Sequence, residues 1–196
     1  METLIHLDQL LAQAINSLAG QFWLLDELMK GLANDYFLIV IANLGLLYLW
    51  FGTSEPKQRE LNQKLSLQAM ASLGISTGLV AIINNLLFRP RPFSELPITV
   101  LLYRPGDSSF PANSATVLFA IAMAIWLGNR KVGNLFFILA AIHSLARVFA
   151  GMYYPLDIIG GAIIGVAVAF FVRWLFKVLN PVVSWLLFQA KQVFLA

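Results

Sequence analysis

The corner at 146–161 (Ala-Arg-Val-Phe-Ala-Gly-Met-Tyr-Tyr-Pro-Leu-Asp-Ile-Ile-Gly-Gly) sits between two apolar runs, 132–150 and 154–172. Each run is near the about 20 residues that a helix needs to cross a bilayer. The corner places Arg147, Tyr153, Tyr154 and Asp157 at the mouth of a membrane helix. Ionisable groups so close to hydrocarbon are costly, so they usually face a cavity or a partner and mark function. The rest of the chain agrees with a membrane setting. Of its 196 residues, 59% are hydrophobic and 12% charged, against about 45–50% and about 25% in soluble domains. The expectation is an all-α integral membrane protein, one domain over 1–196, with about five to six transmembrane helices.

Further spans are expected at 36–51, 65–88 and 112–127, with a polar loop at 53–64 and a proline-rich loop from Arg89 to Pro111. Gly74 and Gly78, and Gly161 and Gly165, have the four-residue spacing that lets a neighbouring helix approach closely. Residues 1–32 read as interfacial helices. In the first, Leu4, Leu7, Leu11 and Leu18 form an apolar stripe while Asp8 and Asn16 lie on other faces. The start has neither the basic region nor the cleavage site of a signal peptide. The stretch 181–196 reads as an amphipathic tail beyond a bundle at 36–178. The absence of cysteine excludes disulfides and thiolate metal sites, and no metal, cofactor or nucleic-acid partner is expected.

Charge sets the orientation. Alternate loops carry Lys57, Arg59, Lys64, Arg130, Lys131, Arg173, Lys177 and Lys191 against two acids, Glu55 and Glu60. The other side carries five basic and eight acidic residues. Basic loops face the cytoplasm. This puts the C-terminus inside and the proline-rich loop and the 146–161 corner outside, in what reads as a bacterial inner (plasma) membrane.

Three segments converge on that outer face: the end of the second span, the start of the third, and the corner. Their polar residues are Asn84, Arg91, Arg104, Asn113, Ser114, Arg147, Tyr153 and Asp157. Arginines can clamp phosphate by charge-assisted, often bidentate bonds. Pro111 suits the opening of a helix, and a helix N-terminus attracts anions.

This layout resembles the type 2 phosphatidic acid phosphatase and vanadium haloperoxidase superfamily, and within it the bacitracin-resistance-type undecaprenyl pyrophosphate phosphatases. The family's first signature is Lys, six residues, Arg-Pro; here it reads Asn84, six residues, Arg91-Pro92. The second is Pro-Ser-Gly-His or Pro-Ser-Asp-His; here it reads Pro111-Ala112-Asn113-Ser114. The third is Ser-Arg, five residues, His, three residues, Asp; here it reads Ala146-Arg147, five residues, Tyr153, three residues, Asp157. The segment 15–26 also looks like that branch. The resemblance implies a metal-independent phosphatase in which the third-signature histidine attacks phosphorus. Its aspartate orients that histidine, the second-signature histidine protonates the leaving group, and lysine and arginines hold the phosphoryl oxygens.

By that alignment Arg91, Arg147 and Asp157 are retained. Tyr153 stands at the nucleophile and Ser114 at the acid. An imidazole titrates near neutrality and serves both roles; a phenol ordinarily titrates near about 10. General acid–base help alone is worth about 10²–10⁴ in rate. No catalytic residue is therefore expected. Arg91, Arg147, Asn84 and Asn113 are the candidate phosphate contacts, with Arg104 and His143 as further candidates. His143 lies one helical turn before Arg147 on the same face.

Plainer readings stand beside these. Arg147 and Asp157 can form an ion pair tying two helices, Tyr154 and Arg89 can sit among headgroups, and Asn113 and Ser114 can cap a helix. Three functions follow. One is a catalytically degenerate protein that binds a polyprenyl phosphate or phospholipid headgroup. Another is a structural subunit of a membrane complex. The third is an active polyprenyl-pyrophosphate or phosphatidic acid phosphatase with a non-histidine nucleophile.

Overall fold

The computed structural model describes residues 2–192. The helices run in order: α1 Glu2–Asn16, α2 Trp23–Ala33, α3 Phe37–Phe51, α4 Pro56–Leu86, α5 Pro92–Glu95, α6 Asn113–Trp126, α7 Arg130–Phe149, α8 Pro155–Val178 and α9 Asn180–Gln192. The expected tail at 181–196 falls within α9 up to Gln192, and its last four residues lie outside the described ones.

The bundle is built around α6. Eleven of its fourteen residues are buried, as suits a helix that is apolar all round. At 1.5 Å per residue it is about 21 Å long, short of the about 30 Å hydrocarbon core. It lies within a wall of α4, α7 and α8, which are long and apolar enough to cross a membrane. Residues Ile39–Phe51 of α3 form a further short apolar helix. The outward faces of α7 and α8 expose Leu135, Ile138, Ile142 and Leu145, and Ile159, Ile163 and Phe170, at spacings of three, four or seven. Apolar surface of that extent suits lipid rather than water.

Small residues set the closest approach. A Cβ on Gly165 would lie 2.3 Å from the carbonyl oxygen of Thr116, and one on Gly161 2.8 Å from that of Ala112. So α8 packs on α6 backbone to backbone. Gly74 and Gly78 do not follow suit: both point away from the bundle, with nothing within 4 Å. The inner face of α4 is instead Ala69, Ser72, Ser76 and Val80. The expected polar loop at 53–64 is also largely helix. Pro56 suits the first turn, and Glu60 and Lys64, one turn apart, pair at 3.0 Å.

The N-terminal helix turns its polar stripe to the bundle. Leu4, Leu7, Leu11 and Leu18 are exposed, while Asp8, Ala12 and Asn16 are buried. The polar side chains act as pegs. Asn16 donates to the carbonyls of Thr99 and Phe149, both at 2.7 Å, and accepts from Thr99 N–H at 2.8 Å. In α2, Trp23 is exposed and Asp26 accepts from Gly20 N–H.

Candidate functional site

Two layers of charge occupy the end of the bundle where α4 and α7 finish and α6 and α8 begin. One centres on Asp157, in the first turn of α8. Its carboxylate accepts from Arg89 Nη1 at 2.5 Å, from Tyr154 N–H at 3.1 Å, and from Ser109 Oγ at short range. Arg89 Nη2 donates to Asp8 at 2.7 Å, and Asp8 also accepts from Leu156 N–H at 2.9 Å. Arg89 is thus no headgroup contact. It is half-buried between two buried carboxylates, where one guanidinium fork can serve both. Burial works against its charge, but Asp157 and Asp8 outweigh that and raise its pKa above the ordinary value. Tyr154, expected among headgroups, is buried beneath the same guanidinium, 4.1 Å from ring centroid to Cζ, and donates to Glu95 at 3.0 Å.

The second layer lines a cavity of about 310 Å³, at the small end of ligand-binding clefts. Arg91, Asp35, Asp107, Asn113, Ser114 and Tyr153 contribute to its wall. Arg91 is 4% exposed. It donates to the carbonyls of Met152 and Asp107, at 3.0 and 3.2 Å, and pairs with the Asp107 carboxylate at 2.8 Å. It also lies over the Tyr153 ring, 4.5 Å from the centroid, and donates to the Tyr153 hydroxyl at 3.3 Å.

Arg147 does not pair with Asp157. Its guanidinium meets the Asp35 carboxylate, which also accepts from Tyr103 Oη at 2.5 Å. The α7 helix ends at Phe149 and the chain reverses through Gly151 at φ +77. Arg147 therefore faces the α2–α3 turn while Asp157 faces Arg89. Behind Arg147, buried His143 bonds through Nδ1 to the carbonyl of Leu32 at 2.8 Å. A carbonyl only accepts, so Nδ1 carries the proton and Nε2 is free to accept from Arg147 Nε at 3.5 Å.

Of the other candidates, Asn113 and Ser114 occupy the first turn of α6 but do not cap it; the N-cap is Ala112, without a side-chain bond. Ser114 Oγ is buried at the cavity with no partner. Asn84 Oδ1 is likewise buried and unpartnered, though Asn84 is not part of the cavity wall. Arg104 is exposed and leans on Phe93, with Cζ 5.9 Å from the ring centroid. The structure thus gathers Arg91, Asn113, Ser114 and Tyr153, and sets Arg147 behind Asp35. Sequence reasoning missed Asp8, Asp35, Asp107 and Ser109 as partners. The excess of acids on this side of the chain was the available signal, because each buried arginine there needs a carboxylate.

Fold and site together define an all-helical integral membrane protein with an arginine-bearing cavity at one end of its bundle. Residues 65–181 match the model of the PAP2 superfamily, and the chain belongs to that family. It is 32% identical over 161 residues to a bacitracin transport permease protein BcrC of Bacillus licheniformis, covering 82% of this chain and 76% of that one. It is 27% identical over 178 residues to an undecaprenyl-diphosphatase BcrC of Bacillus subtilis, covering 88% and 86%. The crystal structure of a transmembrane PAP2 type phosphatidylglycerolphosphate phosphatase from Bacillus subtilis shares the fold with a TM-score of 0.62 at 20% identity, over 90% of this chain and 88% of that one.

Proposed function

We propose that this protein binds the phosphate of a polyprenyl or phospholipid headgroup in the Arg91 cavity and does not turn it over by the histidine route of its family. The observation that carries this reading is the environment of Tyr153. Its ring lies under the Arg91 guanidinium and its hydroxyl accepts from it. A nucleophilic phenol needs a base to take its proton. The carboxylate that would orient a nucleophile, Asp157, is instead engaged by Arg89, Ser109 and Tyr154 N–H. Arg91, Asn113 and the free N–H groups at the start of α6 are the phosphate contacts in this reading. Arg147 joins them when Asp35 releases it. Asn84, Arg104 and His143 stand outside the contact set. In this reading the cavity faces outward from a bacterial inner membrane and the C-terminus is cytoplasmic, as the distribution of basic loops favours. The whole chain acts as one domain.

The family and the relatives named undecaprenyl-diphosphatase favour a second reading, an active phosphatase with a non-histidine nucleophile. Tyr153 and the unpartnered Ser114 hydroxyl are its candidates. One experiment separates the two. Purified protein in nanodiscs is given undecaprenyl pyrophosphate, and both bound lipid and released phosphate are measured. Binding that Arg91→Ala weakens, with no release, supports the first reading. Release abolished by Tyr153→Phe or Ser114→Ala supports the second. Neither binding nor release would leave a structural subunit of a membrane complex, and co-purifying partners would then be sought.

A further inference from the structure

The opposite end of the bundle holds a second cavity that the chemistry above does not use. Ser114, in the first turn of α6, and Leu127, its C-cap, are thirteen positions apart, about 20 Å at 1.5 Å per residue, so this cavity lies at the other end of the bundle from the first. Its volume is about 480 Å³, and its wall includes Lys64, Gln68, Arg173, Phe176, Lys177 and Asn180. It forms where the first half of α4 meets the α6–α7 turn and the end of α8. Gly128 fixes that junction, since a Cβ there would come within 2.3 Å of Leu65.

The two cavities differ in charge. Asp35 and Asp107 stand against the arginines of the first. Among the described residues, no carboxylate lines the second. Its cations remain available. Lys64 has only a surface partner one turn away, Glu60, and such pairs hold weakly. Arg173 spends Nη1 on the Leu127 carbonyl at 2.7 Å, which leaves its other N–H groups. Lys177 is exposed. Gln68 Oε1 is buried there without a donor, and a buried acceptor left unpaired costs free energy.

We propose that this cavity binds the headgroup of an anionic phospholipid whose headgroup carries a hydroxyl. The phosphate lies among Lys64, Arg173 and Lys177, the hydroxyl donates to Gln68 Oε1, and an acyl chain runs along Phe176. The site is on the basic side of the bundle, where anionic headgroups are drawn to juxtamembrane lysine and arginine.

The test uses purified protein exchanged into equal phosphatidylglycerol and phosphatidylcholine, with retained lipid read by native mass spectrometry. Phosphatidylglycerol is expected to be favoured at least about fivefold, as one lysine near a headgroup suffices for that. Lys64→Gln with Lys177→Gln should bring the ratio toward one; in a second exchange with phosphatidic acid in place of phosphatidylcholine, the unaltered protein should retain more phosphatidylglycerol, and Gln68→Leu should erase that preference. The same ratios are also read in the Arg91→Ala background, where the headgroup site proposed above no longer contributes, and the effect of the double variant should persist there, which separates the two sites. Equal retention of the two lipids in the unaltered protein would overturn the proposal, as would a ratio unmoved by the double variant. Displacement of the lipid by millimolar inorganic phosphate alone would also overturn it, by assigning the cavity to free phosphate. Should the double variant fail to fold, Lys177→Gln on the exposed end of α8 gives the same reading.

Discussion

Arg89 and Asp157 meet at 2.5 Å although 68 positions separate them, and the same guanidinium reaches Asp8 at 2.7 Å. One cation thus joins the loop after α4 to both α1 and α8. Two buried carboxylates depend on it, and leaving one unpaired is costly. Arg89→Ala is expected to lower stability by about 3–5 kcal/mol, the usual cost of breaking a buried pair from one side. Asp8→Asn should cost less, because the amide still accepts from Leu156 N–H. Combined with Arg89→Ala, it should cost less than the sum, since the partners are coupled. Thermal unfolding in detergent measures all three, and strictly additive losses would argue against a shared cation.

Asn16 closes a second long-range joint. Its side chain makes three bonds, to both backbone groups of Thr99 and to the Phe149 carbonyl. Asn16→Ala leaves these groups unmade, at about 1–3 kcal/mol for each one that water cannot reach. The sharper readout is local: hydrogen exchange at the Thr99 amide should rise well above that of the α6 amides. Unchanged protection at Thr99 would mean that the loop is held by other contacts.

The two glycine pairs make opposite predictions. A Cβ at Gly165 would meet backbone, 2.3 Å from the Thr116 oxygen and 2.9 Å from the Ala120 nitrogen. Backbone cannot step aside as a side chain can, so Gly165→Ala should destabilise by at least the about 1–3 kcal/mol of overpacking. A Cβ at Gly74 meets open space. There, alanine's helix propensity makes Gly74→Ala neutral or stabilising by up to about 1 kcal/mol. Melting temperatures of the two variants should shift in opposite directions or differ by several degrees.

These pairs also mark where the sequence stopped being legible. Spacing reveals that two small residues share a helix face, but not which face meets a neighbour; α4 turns its serines inward and its glycines outward. The same ambiguity holds for α1, where the period marked a leucine stripe but not that Asp8 and Asn16 would face the bundle. A period of 3.6 fixes a stripe, and in lipid the polar stripe can be the inward one. Apolar runs were legible because they are local: α6 and α7 fall within a few residues of the expected spans. Charge pairing was not. Arg147 and Asp157 are close in sequence, yet the reversal at Gly151 sends them to different partners. Arg91, Asn113, Ser114 and Tyr153 share one cavity; the order of the spans and the family resemblance had also put Asn84, Arg104, Arg147 and Asp157 there, and these do not line it. The acids that hold the arginines there come from α1, the α2–α3 turn and the loop before α6, which no local pattern connects.

The Asp35–Arg147 pair is where that hidden partner bears on function. Arg147 is 1% exposed, and Asp35, at the turn between α2 and α3, lines the cavity that Arg91 also lines. If a phosphate is to use Arg147, it must take the place of the Asp35 carboxylate. Asp35→Asn keeps the shape and removes the charge. Two effects should follow together. Stability without ligand should fall, because Arg147 loses its countercharge while buried. Affinity for a polyprenyl phosphate headgroup should rise about tenfold, since the competing charge-assisted bond is gone and 1.4 kcal/mol is a factor of ten. Ligand should therefore raise the melting temperature of Asp35→Asn more than that of the unaltered protein. A variant that loses stability yet gains no affinity would show that Arg147 serves the fold alone and that Arg91 carries the headgroup without it.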